Sequence, residues 1–538
     1  MIKGKQDFLR IDPRDNVLVA LQDLKPDIVV FEGQKIALQQ NVARKHKFLI
    51  NDLKKGEQII MYGVPVGKVN EDLVAGTWIN TENVSHFADS VNIDNRADYS
   101  WNKLDVSKWH NRTFNGYHRH DGRVGTGNYW LFIPLVFCEN RNLKVIEEAM
   151  SRTLGYYKPN KYEAYVKQKV SGKEQVQTTE ISTKTYENVD GIKFLYHQGG
   201  CGGTRQDAEV LLRLLAGYVG HPNVAGATVL SLGCQNAQVD WFNEILNETF
   251  PNHGKKVFCL EQQQEATEEK LITKAIDLTI EGLEEANKSA RQPAPLSKLI
   301  VGLECGGSDG FSGISANPAV GHASDLVVSL GGAAILSEFP ELNGVEQNIV
   351  DRCESIEDAK KFVALQNAYS ASAKAVGSGF DMNPSPGNIK DGLITDAIKS
   401  AGAAKKGGAS PVTAVLDYTE QVTKAGLNLL CTPGNDVEST TGLAGSGANV
   451  ILFTTGLGTP TGNPIVPVIK VSSNTDMSQR MNDIIDVDAG PITIGDKTID
   501  DIGEEILEEI IAAASGKPTK AMELDQNDFI PWKRGVSL

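Results

Sequence analysis

No stretch of this 538-residue chain reaches the roughly 18 uninterrupted apolar residues that a membrane-spanning helix needs. The opening run MIKGKQDFLRIDPRD lacks the apolar core of a secretory signal, so a cytoplasmic protein without a membrane partner is expected. Cysteine is scarce and odd in number. Seven thiols, at 138, 201, 234, 259, 305, 353 and 431, are too scattered for a secreted disulfide framework. Positive charge is also short: 53 Lys and Arg against 68 Asp and Glu leave a formal net charge of −15. That balance opposes attraction to a phosphate backbone and argues against a nucleic-acid partner. An anionic substrate would have to be held by local donors, because the overall field repels it. Solenoid periods, long heptad runs and a G-x-x-x-x-G-K-[ST] loop are missing too. The glycine-rich TTGLGTPTGNP at 454–464 has prolines at 460 and 464, where a phosphate-capping helix would have to run.

What remains is globular, with 41% hydrophobic and 22% charged residues and length for roughly three or four domains. β-Prone runs at 17–21, 28–31, 58–62 and 64–69, separated by turn residues, predict a small β module. The polar run ADSVNIDNRADYSWNKLDVSKWHNR after it has little apolar periodicity and is expected to be a linker or wrap. From Gly116 onward strand-like and helix-like runs alternate, the pattern of α/β domains on mostly parallel sheets. Strands are expected at 227–233 and 256–260, then a helix with Ile272, Ala275, Ile276, Ile280 and Leu283 on one face. A proline-containing break at 289–298 precedes the strand LIVGLE, and further strands are expected at 326–330, 449–454 and 467–471. Thr498 and Asp501 predict a helix cap, with Ile499, Ile502, Ile506 and Ile510 at helical spacing and Gly516 as the stop. The domains expected are 1–95, a linker at 96–112, 113–292 and 293–538.

The densest chemical signal is YHQGGCGGTRQD at 196–207, where glycines surround His197 and Cys201 and Arg205 follows. Imidazole and thiol are soft metal ligands and guanidinium grips carboxylates; a tight turn around a buried cysteine is the plain alternative. Cys234 and Cys305 also stand just after strand-like segments, where open α/β sheets bind ligands, so Cys201, Cys234 and Cys305 are expected to converge on one crevice. In CGGSDGFSGISANP, Ser308 and Asp309 begin a supply of short polar groups suited to a polyhydroxylated ligand. His46, and the run holding Glu82 and Asn83, offer a possible ligand set or simply structural polar residues.

Taken in chain order, VARKHKFLI, MYGVPVGKV, GYHRHDGRVGTGNYW, HQGGCGGTRQD, LSLGCQNAQ, CGGSDGFSGISANPAVG, NPSPGNIKDGL, TPGNDVESTTGLAGSG and FTTGLGTPTGNPIVPVIK together resemble the altronate and galactarate dehydratase family. The resemblance runs over nearly the whole chain. It implies a small N-terminal β-clip (SAF-type) domain followed by two α/β domains with mostly parallel sheets. It also implies a hydro-lyase that takes the C2 proton and the C3 hydroxyl from a sugar acid to leave a 2-keto-3-deoxy acid. The expected substrate is D-altronate, giving 2-dehydro-3-deoxy-D-gluconate. Galactarate or another aldonate or aldarate is the alternative, and a non-catalytic sugar-acid-binding paralogue is the alternative from another class.

The implied cofactor is a divalent metal, Fe2+ first and Mn2+ or another divalent ion second, with an iron–sulfur cluster on three cysteines as the rival form. Carried over by position, His46, His197 and Lys390 are the candidate catalytic groups. Arg119, Arg123, Arg205, Ser308, Asp309 and Asn388 are the candidate substrate contacts, and His46, Glu82, Asn83, Cys201, Cys234 and Cys305 the candidate metal ligands. Altronate-type members tend to carry a His-x-His-Asn run where this chain has Asn80, Thr81, Glu82 and Asn83, so oxygen ligands replace imidazoles there. The expected partner is a small sugar acid, and a homodimer is one expected assembly.

Overall fold

Short strands dominate the N-terminal stretch, as β-branched runs broken by turn residues require. A computed structural model, which describes residues 7–172 and 183–535, shows three small antiparallel sheets there. One joins Phe8–Leu9, Val17–Ala20, Lys47–Leu49 and Trp78–Ile79. The second is the hairpin of Ile28–Phe31 with Gln34–Ala37, and the third joins Gln58–Met61, Val64–Val69 and Val84–Ser85. Leu18, Ala20, Ile36, Phe48 and Ile50 close a core between the first two. This module belongs to one compact unit with Pro293–Trp532, while Asn115–Gln292 and Lys533–Leu538 form another.

The first unit is built on seven parallel strands. Their order is Val412–Leu416, Gly426–Leu430, Ala333–Leu336, Ile300–Cys305, Val450–Thr455, Val468–Ser472 and Val487–Asp488. The inner strands are mostly apolar and buried along nearly all their length, as a sheet covered on both faces demands. Thr498 and Asp501 form the expected capping box of Ile499–Ala514, which packs against Ala316–Ser329. The expected strand at 326–330 is instead the last turn of Ala316–Ser329. The neighbouring strand begins only after Gly331 and Gly332, at Ala333. The N-terminal module meets this unit through Thr395, whose Oγ1 donates to the Val66 carbonyl at 2.9 Å.

The second unit carries a four-stranded parallel sheet in the order Gly191–Phe194, Tyr129–Pro134, Val224–Ser231 and Lys256–Glu261. Helix Glu268–Ala286 buries Leu271, Ala275 and Leu283 in its core, alongside Trp130 and Phe132.

Candidate metal centre

The central strand of the first unit, Ile300–Cys305, delivers Glu304 and Cys305 to the carboxyl edge of its sheet, where ligands of open α/β sheets bind. The chain then turns through Gly306, where a Cβ atom would lie 2.1 Å from Asp436 Oδ2; glycine is required because the carboxyl group rests on the backbone. Next to this edge Glu338 sits in the left-handed region, with φ 64 and ψ 62, a costly conformation for a side-chain-bearing residue. It aims its carboxylate at the same spot. Glu338 Oε2 accepts from Lys406 Nζ at 2.6 Å and from the Cys305 backbone N at 3.0 Å. Glu341 Oε2 accepts from Cys305 Sγ at 2.9 Å, and Glu341 Oε1 pairs with Lys399 Nζ at 2.5 Å. Glu304 Oε2 accepts from Ser337 Oγ at 2.9 Å and Ser439 Oγ at 2.5 Å.

The charges of this pocket do not balance among its own side chains. Four carboxyl groups, Glu304, Glu338, Glu341 and Asp436, face two ammonium groups, Lys399 and Lys406. Burial, then Glu338, pushes the Glu304 carboxyl well above the usual range. Burial, then Glu338 and Glu341, pushes Asp436 up to about 7 and does the same in direction to the Cys305 thiol. Burial alone would raise Glu341 as well, but Lys399 and Lys406 outweigh it and hold it at about 2. Glu304 Oε1 and Glu338 Oε1 are buried without a hydrogen-bond donor.

A surplus of carboxylates in a largely buried site calls for either protons or a cation. Cys305, Glu338 and Glu341 bring one ligand atom each within 4.8 Å of one another, and among the described residues they are the group that does so. One thiol and two carboxylates, with a donorless oxygen already on Glu338, fit a divalent transition metal.

Beside this pocket the loop after Gly306 is locked by Asp309. Its fully buried carboxylate accepts from Ser312 Oγ at 2.9 Å, Ser473 Oγ at 2.8 Å, Phe311 N at 3.1 Å and Asn474 Nδ2 at 3.1 Å, and pairs with Lys45 Nζ at 3.0 Å. Five donors saturate a carboxylate with about four lone-pair sites, so Asp309 anchors the loop and the N-terminal module rather than a substrate hydroxyl. Lys45 also reaches Asp391 Oδ1 at 3.0 Å.

His46 is not a metal ligand in this arrangement. Its Nδ1 accepts from Trp78 Nε1 at 3.1 Å and its Nε2 faces the Lys390 carbonyl at 3.0 Å, so the ring is the neutral Nε2–H tautomer with no lone pair left. Burial lowers its pKa in the same sense. Asn83 likewise closes a turn, accepting from Asn80 N at 2.8 Å and donating to the Trp78 carbonyl at 2.9 Å, while Glu82 stays exposed. Asn388 caps its own helix with Ser385 and donates to the Ser308 carbonyl at 2.7 Å. The Lys390 side chain is exposed.

In the second unit His197 is buried, with Nε2 on the Pro134 carbonyl at 2.6 Å and Nδ1 accepting from Gly199 N at 3.1 Å. Burial pushes its pKa down to about 4, so it is a neutral brace for the loop and not a proton-transfer group. Arg119 donates to the Pro222 and Gly127 carbonyls and to Asn128 Oδ1. Arg123 is held by Asp121 and the Gly220 carbonyl. Both guanidinium groups therefore build the fold. Arg205, first residue of Arg205–Gly220, is exposed. Cys305 is buried against Glu341 in the first unit, whereas Cys201 and Cys234 are exposed in the second.

Three family models match the chain. Residues 6–86 match the altronate/galactarate dehydratase SAF domain, 116–287 the second domain of D-galactarate dehydratase/altronate hydrolase, and 296–537 the C-terminal domain of D-galactarate/altronate dehydratase. The altronate dehydratase of Escherichia coli (strain K12) is 34% identical over 537 residues, covering 99% of this chain and 100% of that protein. The chain belongs to the altronate/galactarate dehydratase family. Two further members, the altronate dehydratase of Bacillus subtilis (strain 168) and the galactarate dehydratase (L-threo-forming) of E. coli, are 33% and 29% identical. They align over 99% and 95% of this chain and 100% and 93% of their own lengths. As a dehydratase of this family the chain is a hydro-lyase, with a SAF domain at its N-terminus and parallel-sheet α/β domains after it. No helix among the described residues is long and apolar enough to cross a membrane.

Glu338, Glu341, Lys399, Lys406 and Asp436 were not among the residues singled out from sequence. A signal existed for three of them. Glu338 and Glu341 follow the strand Ala333–Leu336, and Asp436 follows Gly426–Leu430 within TPGNDVESTTGLAGSG; the strand-end rule applied to the cysteines selects these carboxylates equally well.

Proposed function

We propose that this dehydratase acts on D-altronate and releases water to give 2-dehydro-3-deoxy-D-gluconate. The observation that carries the proposal is the surplus-carboxylate pocket at the edge of Ile300–Cys305, in a chain similar from end to end to two altronate dehydratases. The C2 proton of a sugar acid is far less acidic than any side chain, so its removal needs charge stabilisation at the neighbouring carboxylate. A divalent ion, Fe2+ first and Mn2+ second, would be held by Cys305, Glu338 and Glu341 and would supply that stabilisation. Lys399 and Lys406 hold the two glutamates in place, and the Asp309 clamp fixes the loop that leaves the same strand. Lys390, exposed at the end of Pro386–Lys390, is our candidate for moving a proton. Loss of the C2 proton and the C3 hydroxide leaves an enol, which tautomerises to the 2-keto acid. We place the protein in the cytoplasm, where a reducing environment suits its exposed thiols.

The test is an anaerobic assay of the purified protein with Fe2+ or Mn2+, following 2-keto-3-deoxy acid formation from altronate, galactarate and other aldonates in parallel. Turnover of altronate, lost with chelator and lost together with bound metal in Glu341→Gln, is the expected result. Turnover of galactarate instead would move the specificity to the other branch, which the departure at Asn80–Asn83 keeps in contention. No turnover of any acid by metal-loaded protein would leave a sugar-acid-binding paralogue.

A further inference from the structure

Of the seven cysteines, Cys138, Cys201 and Cys234 are exposed, while Cys259 is half-buried and Cys305, Cys353 and Cys431 are buried. Cysteine is among the most often buried residue types, so three exposed thiols in one unit ask for a reason. All three stand at the same edge. The strands Gly191–Phe194, Tyr129–Pro134 and Val224–Ser231 are adjacent and parallel. Just past their carboxyl ends come Cys201, Cys138 and Cys234 respectively.

Backbone hydrogen bonds tie the three loops together. Phe137 N donates to the Gly199 carbonyl at 3.1 Å, and Asn236 N and Ala237 N donate to the Gly200 carbonyl at 3.0 and 3.2 Å. Gly200, at φ +95, lies so close that a Cβ atom there would stand 2.0 Å from the Leu135 carbonyl oxygen. The glycines of HQGGCGG thus let the Cys201 loop rest on the Cys138 loop. The Cys138 thiol is pushed up by partial desolvation and then by Cys201 and Cys234, which places both of those thiols within electrostatic reach of Cys138.

Each cysteine is followed by a helix that starts at this edge: Asn140–Thr153, Arg205–Gly220 and Val239–Thr249. Helix N-termini carry partial positive charge, and thiolates are favoured near them. A single tetrahedral ion would draw its sulfurs to about 3.8 Å apart at a metal–sulfur length of about 2.3 Å. These three sulfurs are not such a group, since the ligand atoms that converge within 4.8 Å among the described residues are those of Cys305, Glu338 and Glu341. A cluster spreads its thiolates because each binds a different iron.

We propose that Cys138, Cys201 and Cys234 form a three-thiolate site for a four-iron iron–sulfur cluster at the sheet edge of the second unit, leaving one iron to take a water or a small oxygen ligand. This site draws on other residues than the Cys305 centre, and goes beyond the dehydratase reading without depending on which acid is turned over.

The test is iron and acid-labile sulfide analysis, with visible absorbance and electron paramagnetic resonance, on full-length protein purified anaerobically and reconstituted with ferric iron, sulfide and a thiol reductant. Expected are about four irons and about four sulfides per chain in addition to any ion at the Cys305 centre. Sulfide and the visible band should be lost in each of Cys138→Ser, Cys201→Ser and Cys234→Ser and kept in Cys259→Ser, with all variants retaining the wild-type melting profile after cluster removal. Iron without sulfide, zinc in its place, or sulfide that persists in all three serine variants would overturn the proposal. Because none of these readouts uses turnover, a failed altronate assay leaves this result standing, and a missing cluster leaves the altronate reading standing.

Discussion

Lys406 is 1% exposed and lies against Glu338, which is wholly buried. Burial works against its charge, but Cys305, Glu338, Glu341 and Glu304 together outweigh that and push its pKa well above the ordinary value. Removing the ammonium group enlarges the surplus of carboxylates it faces. Lys406→Met should therefore destabilise the first unit by about 3–5 kcal/mol, the usual cost of leaving a buried partner unpaired. The measurement is the melting midpoint of metal-free protein, and a change within error would mean that Glu338 already holds a proton.

The same residues mark what a sequence can and cannot give at this scale. Cys305 was singled out by its place after a strand, and it stands as the last residue of that strand. His46 was singled out by type, but its role depends on Trp78 and the Lys390 carbonyl, the second of them far along the chain. Arg119 and Arg123 are engaged by carbonyls that no side-chain pattern announces.

At the scale of elements, strongly periodic segments were legible. The helix over 272–283 lies within Glu268–Ala286, and the capped run after Thr498 is the helix Ile499–Ala514. The segment 326–330 was not. Its Leu-Val-Val run reads as a strand because β-branched residues favour strands, yet Ala316–Ser329 is buried on nearly every side. A helix enclosed in this way needs no polar face, so the periodicity that would reveal it is erased.

The loop after Gly191–Phe194 shows how an element is held in place by one ring. His197 bonds Pro134 at the end of the adjacent strand, and burial keeps its pKa at about 4 against an unfolded value of 6.5. Between these two values the unfolded chain binds a proton that the folded loop does not. Stability is therefore full above pH 6.5, falls as pH drops toward 4, and levels off below that. The loss amounts to about 3 kcal/mol, at 1.36 kcal/mol for each pKa unit. His197→Gln should flatten this acid limb, seen as melting midpoints of the second unit that depend less on pH between 6.5 and 4 than those of the wild type.

At the scale of the molecule, two units each carry a parallel sheet and each presents metal-binding residue types at its carboxyl edge. The N-terminal module belongs to the unit that holds Cys305, joined through Lys45, His46 and Thr395. An ion bound by Cys305, Glu338 and Glu341 should therefore stabilise the N-terminal strands along with the large sheet. Binding to the folded state alone adds about 2.7 kcal/mol when the free ion is at 100 times its Kd. Hydrogen exchange followed by peptide mapping can read this unit by unit. Adding Mn2+ to metal-free protein should slow exchange in the peptides of Val17–Ala20 and Lys47–Leu49 as well as Ile300–Cys305. The amides of Tyr129–Pro134 and Val224–Ser231 should stay unchanged. Protection confined to the large sheet would mean that the N-terminal module opens independently of the metal centre, and equal protection in both units would place the ion elsewhere.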